Sequence, residues 1–182
     1  MLDALKPQGR AEIMKIVSAV FMFSVGSILT PANADSGALC TSTEKPIFSC
    51  SIGKKTLSVC ASSDLSPISG YLKYRYGASL QKVELSYPAT TGHPKSFFYF
   101  AHDESSAKAS AEQLSFYVGD VSYTVFVERS AFEWNGSGVL IKSKGKRIGY
   151  LLCKSDRPSP DKIYDLHELG LPSAELDTND EP

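Results

Sequence analysis

The sequence predicts an all-β protein, a single antiparallel sandwich or barrel of about nine strands with a short C-terminal helix. Three observations predict this class. Short segments alternate between apolar and polar residues with a period of two, as strands with one buried face do. Two-residue turns containing glycine separate several of these segments. All four cysteines follow an N-terminal segment with the features of an export signal.

Residues 1–34 are predicted to be a signal peptide. Arg10 and Lys15 supply positive charge, an apolar run interrupted by serines follows over residues 16–29, and Ala-Asn-Ala at 32–34 is a small-residue cleavage motif. The run is too short and interrupted to span a membrane. The sequence therefore predicts a periplasmic or secreted protein, with no integral membrane segment after signal removal.

The mature chain is predicted to consist of a β-domain over residues 35–154 and an acidic tail over 155–182. The domain carries 14 basic and 10 acidic residues, and the tail carries 2 basic and 8 acidic residues. A charge balance of this kind is typical of a mildly basic domain with a solvated tail. It does not indicate a nucleic-acid partner.

The first four strands are predicted to form two hairpins. Residues 47–52 and 55–60 flank the turn Gly53-Lys54, and residues 70–77 and 80–87 flank Ala78-Ser79. The expected cross-strand pairs are Phe48 with Val59, Cys50 with Leu57, Ile52 with Lys55, Leu72 with Leu85, Tyr74 with Val83, Lys73 with Glu84 and Arg75 with Lys82.

The remaining strands follow an aromatic segment at residues 96–101, which is predicted to be a central strand, and a serine- and alanine-rich stretch at 103–113, predicted to be a loop. Two further hairpins are expected. Their strands are 114–118, 121–128, 139–143 and 146–153, with Phe116 opposite Tyr123 and Ile141 opposite Ile148.

The tail is predicted to contain one short helix over residues 161–169, because acidic residues occupy its first turns and Gly170 follows its end. Ile163, Leu166 and Leu169 would dock this helix on the sheet. The final dozen residues are expected to be disordered.

Four cysteines in an exported chain predict two disulfides. Spacings of 10, 10 and 93 residues are unlike the close pairs of zinc sites. The alternation places Cys50 on the apolar face and Cys60 and Cys153 on the polar face. It therefore favours Cys40–Cys50 with Cys60–Cys153, whereas a single bulge would give Cys40–Cys60 with Cys50–Cys153.

A stripe of Tyr71, Lys73 and Arg75 is the first candidate binding surface. These residues alternate on one predicted strand face and could bind sugars, carboxylates or a partner protein by stacking and forked hydrogen bonds. If they form a binding site, alanine at Lys73 and Arg75 should weaken capture of the partner and change stability by at most about 0.5 kcal/mol each. The alternative is an ordinary outer face, on which Lys73 pairs with Glu84. Trp134, the single tryptophan, is either partly buried or a binding anchor.

The sequence offers no catalytic, metal or cofactor constellation. The three histidines lack the spacings of metal or base pairs, and Ser137 lacks the strand–turn–helix context of a nucleophile elbow. The leading function is therefore an exported envelope module that binds or inhibits, with an envelope protein or an anionic or glycan ligand as partner. A hydrolytic enzyme of the envelope and a structural or envelope-stress protein are the alternatives.

The segments Ile47-Phe48-Ser49-Cys50, Leu57-Ser58-Val59-Cys60 and Tyr74-Arg75-Tyr76-Gly77 resemble a family of small exported bacterial β-domains. More distantly, the chain is similar to the periplasmic inhibitors of c-type lysozyme, small antiparallel barrels whose Ser-Gly-x-x-Tyr loop enters the lysozyme cleft. The nearest match is residues 69–74, which are one residue longer, and the Thr-Lys-Gly motif of that family is not found. The resemblance implies an exported β-domain and an inhibitory function.

Overall fold

The computed structural model describes residues 37–177, apart from 107, 132–134, 156–157 and 159 and the side chains of 104–106. The predicted signal peptide, Trp134 and the end of the acidic tail lie outside the described residues. The described chain is an all-β sandwich, as predicted, with two antiparallel sheets. Its strands are β1 (Glu44–Ile52), β2 (Lys55–Ser62), β3 (Leu72–Ser79), β4 (Lys82–Tyr87), β5 (Tyr99–Ser106), β6 (Ala109–Val118), β7 (Val121–Ser130), β8 (Gly136–Ser143) and β9 (Lys146–Leu152).

Each sheet is a meander. The order is β1-β2-β3-β4 in the four-stranded sheet and β5-β6-β7-β8-β9 in the five-stranded sheet. Apolar residues at alternate positions of both sheets form a shared core, because a strand that buries one face needs a second layer against it. The largest fully buried side chains include Phe48, Leu57 and Leu72 from one sheet and Leu114 and Phe116 from the other.

The first hairpin has the predicted register. Phe48 lies opposite Val59, Cys50 opposite Leu57 and Ile52 opposite Lys55. Gly53 has a φ of +61°, a conformation that glycine adopts without the penalty that a Cβ would bring. A bulge at Ile47, which the pattern did not predict, turns Glu44 and Pro46 toward the outer face.

The predicted register of the second hairpin is wrong. The turn lies at Leu80-Gln81 and not at the predicted Ala78-Ser79, because Ser79 pairs with Lys82, and Tyr74 consequently lies opposite Tyr87 and Arg75 opposite Ser86. The bulges at Ala78 and Glu84 lie on opposite strands and offset each other. The chain approaches itself closely here, since a Cβ on Gly77 would lie 2.4 Å from the carbonyl oxygen of Lys82. The predicted pairs Leu72–Leu85, Tyr74–Val83, Lys73–Glu84 and Arg75–Lys82 therefore do not form.

The aromatic segment is a sheet edge and not a central strand. Residues 94–96 form a 3-10 turn, and β5 begins only at Tyr99 and pairs with β6 alone among the strands. The predicted loop at 103–113 is wrong as well, because β5 and β6 extend through most of it. Phe98 and Phe100 are nevertheless buried, because both side chains belong to the core shared by the two sheets.

Because of a bulge at Ile148, the disulfide pairing differs from the favoured prediction. Ile141 lies opposite Gly149 instead of Ile148, so Ile148 is 63% exposed and every later residue of β9 changes face. Leu151 and Cys153 consequently pack against the core. The bridges are Cys50–Cys153, between the sheets, and Cys40–Cys60. The favoured pairing is therefore wrong, and the alternative with one bulge is correct.

The chain after β9 closes the sandwich along two sheet edges. Lys162 donates its backbone N–H to Ile47 at the edge of β1, and Phe100 of β5 bonds Pro172 and Ala174. The predicted helix is a 3-10 turn, Tyr164–Leu169, which ends at Gly170. Its predicted docking residues are buried, namely Ile163, Leu166 and Leu169. The expected disorder is wrong for residues 171–177, which pack on the five-stranded sheet.

Candidate binding site

The predicted stripe lies on the outer face of the four-stranded sheet, and the N-terminal segment (residues 37–43) lies across it. Leu39 donates its backbone N–H to Ser58 Oγ at 2.9 Å and is only 3% exposed. The disulfide from Cys40 to Cys60 of β2 holds the segment covalently. This segment therefore occupies surface that the alternation of β2 and β3 alone would leave open.

Arg75 is committed to an internal ion pair. Its guanidinium donates to both carboxylate oxygens of Glu44, at 2.7 and 2.9 Å, and to the carbonyl oxygen of Leu39 at 2.9 Å. The Glu44 side chain is 2% exposed and that of Arg75 is 12% exposed. Burial alone would raise the pKa of Glu44, but the bonds from Arg75 and the Thr41 amide lower it below its usual value.

The two other residues of the stripe also bond the protein itself. The Tyr71 hydroxyl donates to Glu44 at 3.3 Å, and Lys73 Nζ donates to the carbonyl oxygen of Pro88. Burial lowers the pKa of Lys73 below its usual value, with the nearby Arg75 charge acting in the same direction. The structure thus brings Tyr71, Lys73 and Arg75 to one face and uses their polar groups for internal contacts. Trp134 lies outside the described residues.

The loop before β3, at residues 64–70, is also bonded internally. Ser69 Oγ donates to the carbonyl oxygen of Asp64 at 2.8 Å, and the Ser66 and Ser69 hydroxyls are 2.8 Å apart. Gly70 has a φ of +84°, and a Cβ there would lie 2.6 Å from Leu65 Cα. These contacts fix the backbone of the loop.

A second candidate surface, which the sequence reasoning missed, lies on the outer face of the five-stranded sheet. The registers align outward-facing residues in two cross-strand rows. Side chains at alternate positions share a face, so the rows present hydroxyls, aromatic rings and one ammonium together. One row is Tyr99, Ser115 and Thr124, and the other is Tyr117, Ser122 and Lys142.

These rows form the floor of an open groove of about 550 Å³. The Tyr99 and Tyr117 rings meet edge to face with centroids 5.9 Å apart, and the residues are 40% and 56% exposed. Exposed tyrosines offer flat apolar area with a hydrogen-bonding tip, which suits them to recognition. We call this surface the tyrosine groove.

The C-terminal segment (residues 171–177) closes one end of the tyrosine groove. Gln113 forms two hydrogen bonds with the Asp177 backbone, accepting from its N–H at 2.7 Å and donating to its carbonyl oxygen at 2.9 Å. The Asp177 carboxylate accepts from Thr124 Oγ1 at 3.4 Å and pairs with Lys142. Gln113 and Thr124 are buried, at 5% and 2% exposure.

The sequence carried a signal for this surface. Gln113, Ser115 and Tyr117 alternate with the buried Leu114 and Phe116. That alternation indicates a polar outer face. Because residues 103–113 were predicted to be a loop, however, the predicted strand began only at Leu114 and did not include Gln113. The contacts made by residue 177 could not be read from local patterns.

The fold and the groove together define a disulfide-linked antiparallel β-sandwich with an aromatic and polar groove on one outer face. Comparison with known proteins finds no family model, no curated protein and no solved structure that matches the chain. Within the described residues, no helix has the length and apolar character needed to cross a membrane.

Proposed function

We propose that the protein is an exported module of the cell envelope that binds or inhibits a partner without catalysis, and that the tyrosine groove is its binding site. The exposed pair of Tyr99 and Tyr117 beside Lys142 carries this proposal. Two flat rings, two serine hydroxyls and an ammonium on a rigid sheet can hold a polar ligand by stacking and directed hydrogen bonds. The two disulfides fit an oxidising compartment outside the cytoplasm.

Two buried carboxylates are used in ion pairs. Glu44 pairs with Arg75 and Glu112 pairs with Arg129, which also pairs with the partly buried Asp161. Although burial opposes them, the bonds from Arg75 and the Thr41 amide lower the pKa of Glu44, whereas a general acid needs a raised pKa. Glu44 and Glu112 therefore serve structure, while burial raises the pKa of the Glu128 carboxyl.

The test is capture of envelope components by immobilised mature protein. Tyr99→Ala/Tyr117→Ala should reduce the retained amount of a specific component by about tenfold or more, because it removes both rings. The matched control is Ile68→Ala/Leu80→Ala, which removes two exposed side chains (91% and 40% exposed) from the other sheet. The control should retain the component at the wild-type level.

Equal loss in both variants, or no loss in the groove variant, contradicts the assignment of the site. Chemical conversion of the retained component by wild-type protein would favour the hydrolase. Adding a c-type lysozyme to the same assay tests the inhibitory form of the proposal, since inhibition must fall in the groove variant if the groove is responsible.

Mass spectrometry of the exported protein should give Asp35 as its first residue.

A further inference from the structure

The pocket around Asp177 has the composition of a receptor for an acidic peptide residue. Gln113 pairs with both the N–H and the carbonyl oxygen of one residue, as a neighbouring strand would. Lys142 and Thr124 pair with the carboxylate of that same residue. The pocket therefore binds both the backbone and the side chain of a single acidic residue.

The receptor is built into the sheet, whereas its present occupant buries few side chains. Gln113 and Thr124 are buried, and the Lys142 side chain is 18% exposed. After Leu171 the C-terminal segment buries no side chain fully, and Ser173 and Glu175 are exposed. Segments with few buried apolar contacts are those that open most readily.

Opening this segment would leave buried polar groups without partners, which is costly. A ligand that replaces the segment must therefore supply the same groups, namely a backbone N–H and C=O with a carboxylate. Tyr99 and Tyr117 line the same groove as Asp177, so the two rings can contact residues that flank such a carboxylate.

We propose that the tyrosine groove binds an extended acidic peptide segment of a partner protein, and that residues 171–177 are its intramolecular competitor. This inference rests on the proposed function and names the ligand class of the same site. Asp177 occupies the carboxylate position in the closed form. A partner segment with Asp or Glu at that position takes its place.

The experiment uses the full mature chain and a labelled synthetic peptide with the sequence of residues 173–180. Asp177→Lys in the protein places two ammonium groups together and should open the segment, so that the peptide binds about tenfold or more tighter than to wild type. The matched control is Glu175→Lys, which makes the same charge change at an exposed neighbour. It should bind the peptide as weakly as wild type.

A charge exchange sharpens the test. Lys142→Glu combined with Asp177→Lys should restore the intramolecular pair and return peptide binding to the wild-type level. Lys142→Glu alone should bind a peptide with lysine at the position of Asp177 in preference to the original peptide. Thermal melting of every variant confirms that the domain is folded.

Equal binding by wild type, Asp177→Lys and Glu175→Lys would indicate unspecific charge attraction and overturn the proposal. Failure of the peptide to bind any folded variant would also overturn it. If light scattering shows that the Asp177→Lys variant forms dimers, the groove binds the C-terminal segment of a second copy and not a partner protein. If the peptide fails while capture still depends on Tyr99 and Tyr117, the proposed function stands with another ligand class.

Discussion

The outer faces of the two sheets are both crossed by a terminal segment, but the segments are held differently. Residues 37–43 cross the four-stranded sheet through the Cys40–Cys60 disulfide and the buried pair of Glu44 and Arg75. Residues 171–177 cross the five-stranded sheet through the polar contacts of Asp177. The first segment is held by a covalent bridge and a buried ion pair, whereas the second is held by polar contacts alone at Asp177, which in our proposal a partner peptide replaces.

The ion pairs that hold the two segments also differ in burial. A buried ion pair is costly to break, because removing one partner leaves the other charge uncompensated. The Lys142–Asp177 pair is more exposed, at 18% and 26%, and therefore contributes less to stability than the Arg75–Glu44 pair.

The largest effect is expected for Arg75→Ala. It leaves the Glu44 carboxylate buried and unpaired, so the free energy of unfolding should fall by about 3–5 kcal/mol. This replaces the value of at most about 0.5 kcal/mol that the sequence indicated for an exposed position. Urea denaturation measures the loss. A change near zero would mean that the pair of Glu44 and Arg75 contributes nothing to stability.

A slightly smaller loss is expected for Cys40→Ala/Cys60→Ala. The bridge closes a loop with a sequence separation of 20, for which chain-entropy estimates give about 3 kcal/mol. Limited proteolysis should then cut within residues 37–43 of the variant before the rest of the domain. Resistance equal to wild type would show that the ion pair alone holds this segment.

Acid should loosen the N-terminal segment. Because the folded pKa of Glu44 lies below its usual value of about 4.5, its stabilisation is fully present above that pH and is lost as the pH falls through the folded pKa. Wild-type stability should therefore drop below about pH 4.5. The urea concentration at the midpoint of unfolding should depend less on pH for Glu44→Gln than for wild type in this range. Parallel curves for the two proteins would contradict this assignment.

The smallest effect is expected on the other face. Lys142→Ala should lower the free energy of unfolding by only about 0.2–1 kcal/mol, because the pair with Asp177 is partly exposed. Hydrogen exchange should instead quicken at the Asp177 amide, which donates to Gln113. A loss as large as that of Arg75→Ala would show that both segments are permanent parts of the fold.

The local pattern of the sequence predicted the all-β class, the first hairpin with its register, and the pair of Phe116 and Tyr123. Each follows from a period of two beside a short turn, which is information contained in neighbouring residues. It also placed Ile163, Leu166 and Leu169 against the core, because their spacing faces one side of a helical turn. Four cysteines in an exported chain predicted two disulfides.

The tertiary structure decided the bulges, and through them the disulfide partners. A bulge adds one residue to a strand and moves every later side chain to the opposite face, while the sequence alternates equally well in either register. Ile148 is an example. Its apolar side chain predicts an inward position, but the side chain is exposed. The roles of Arg75 and Gln113 were decided in the same way, by partners 31 and 64 residues away that no local pattern contains.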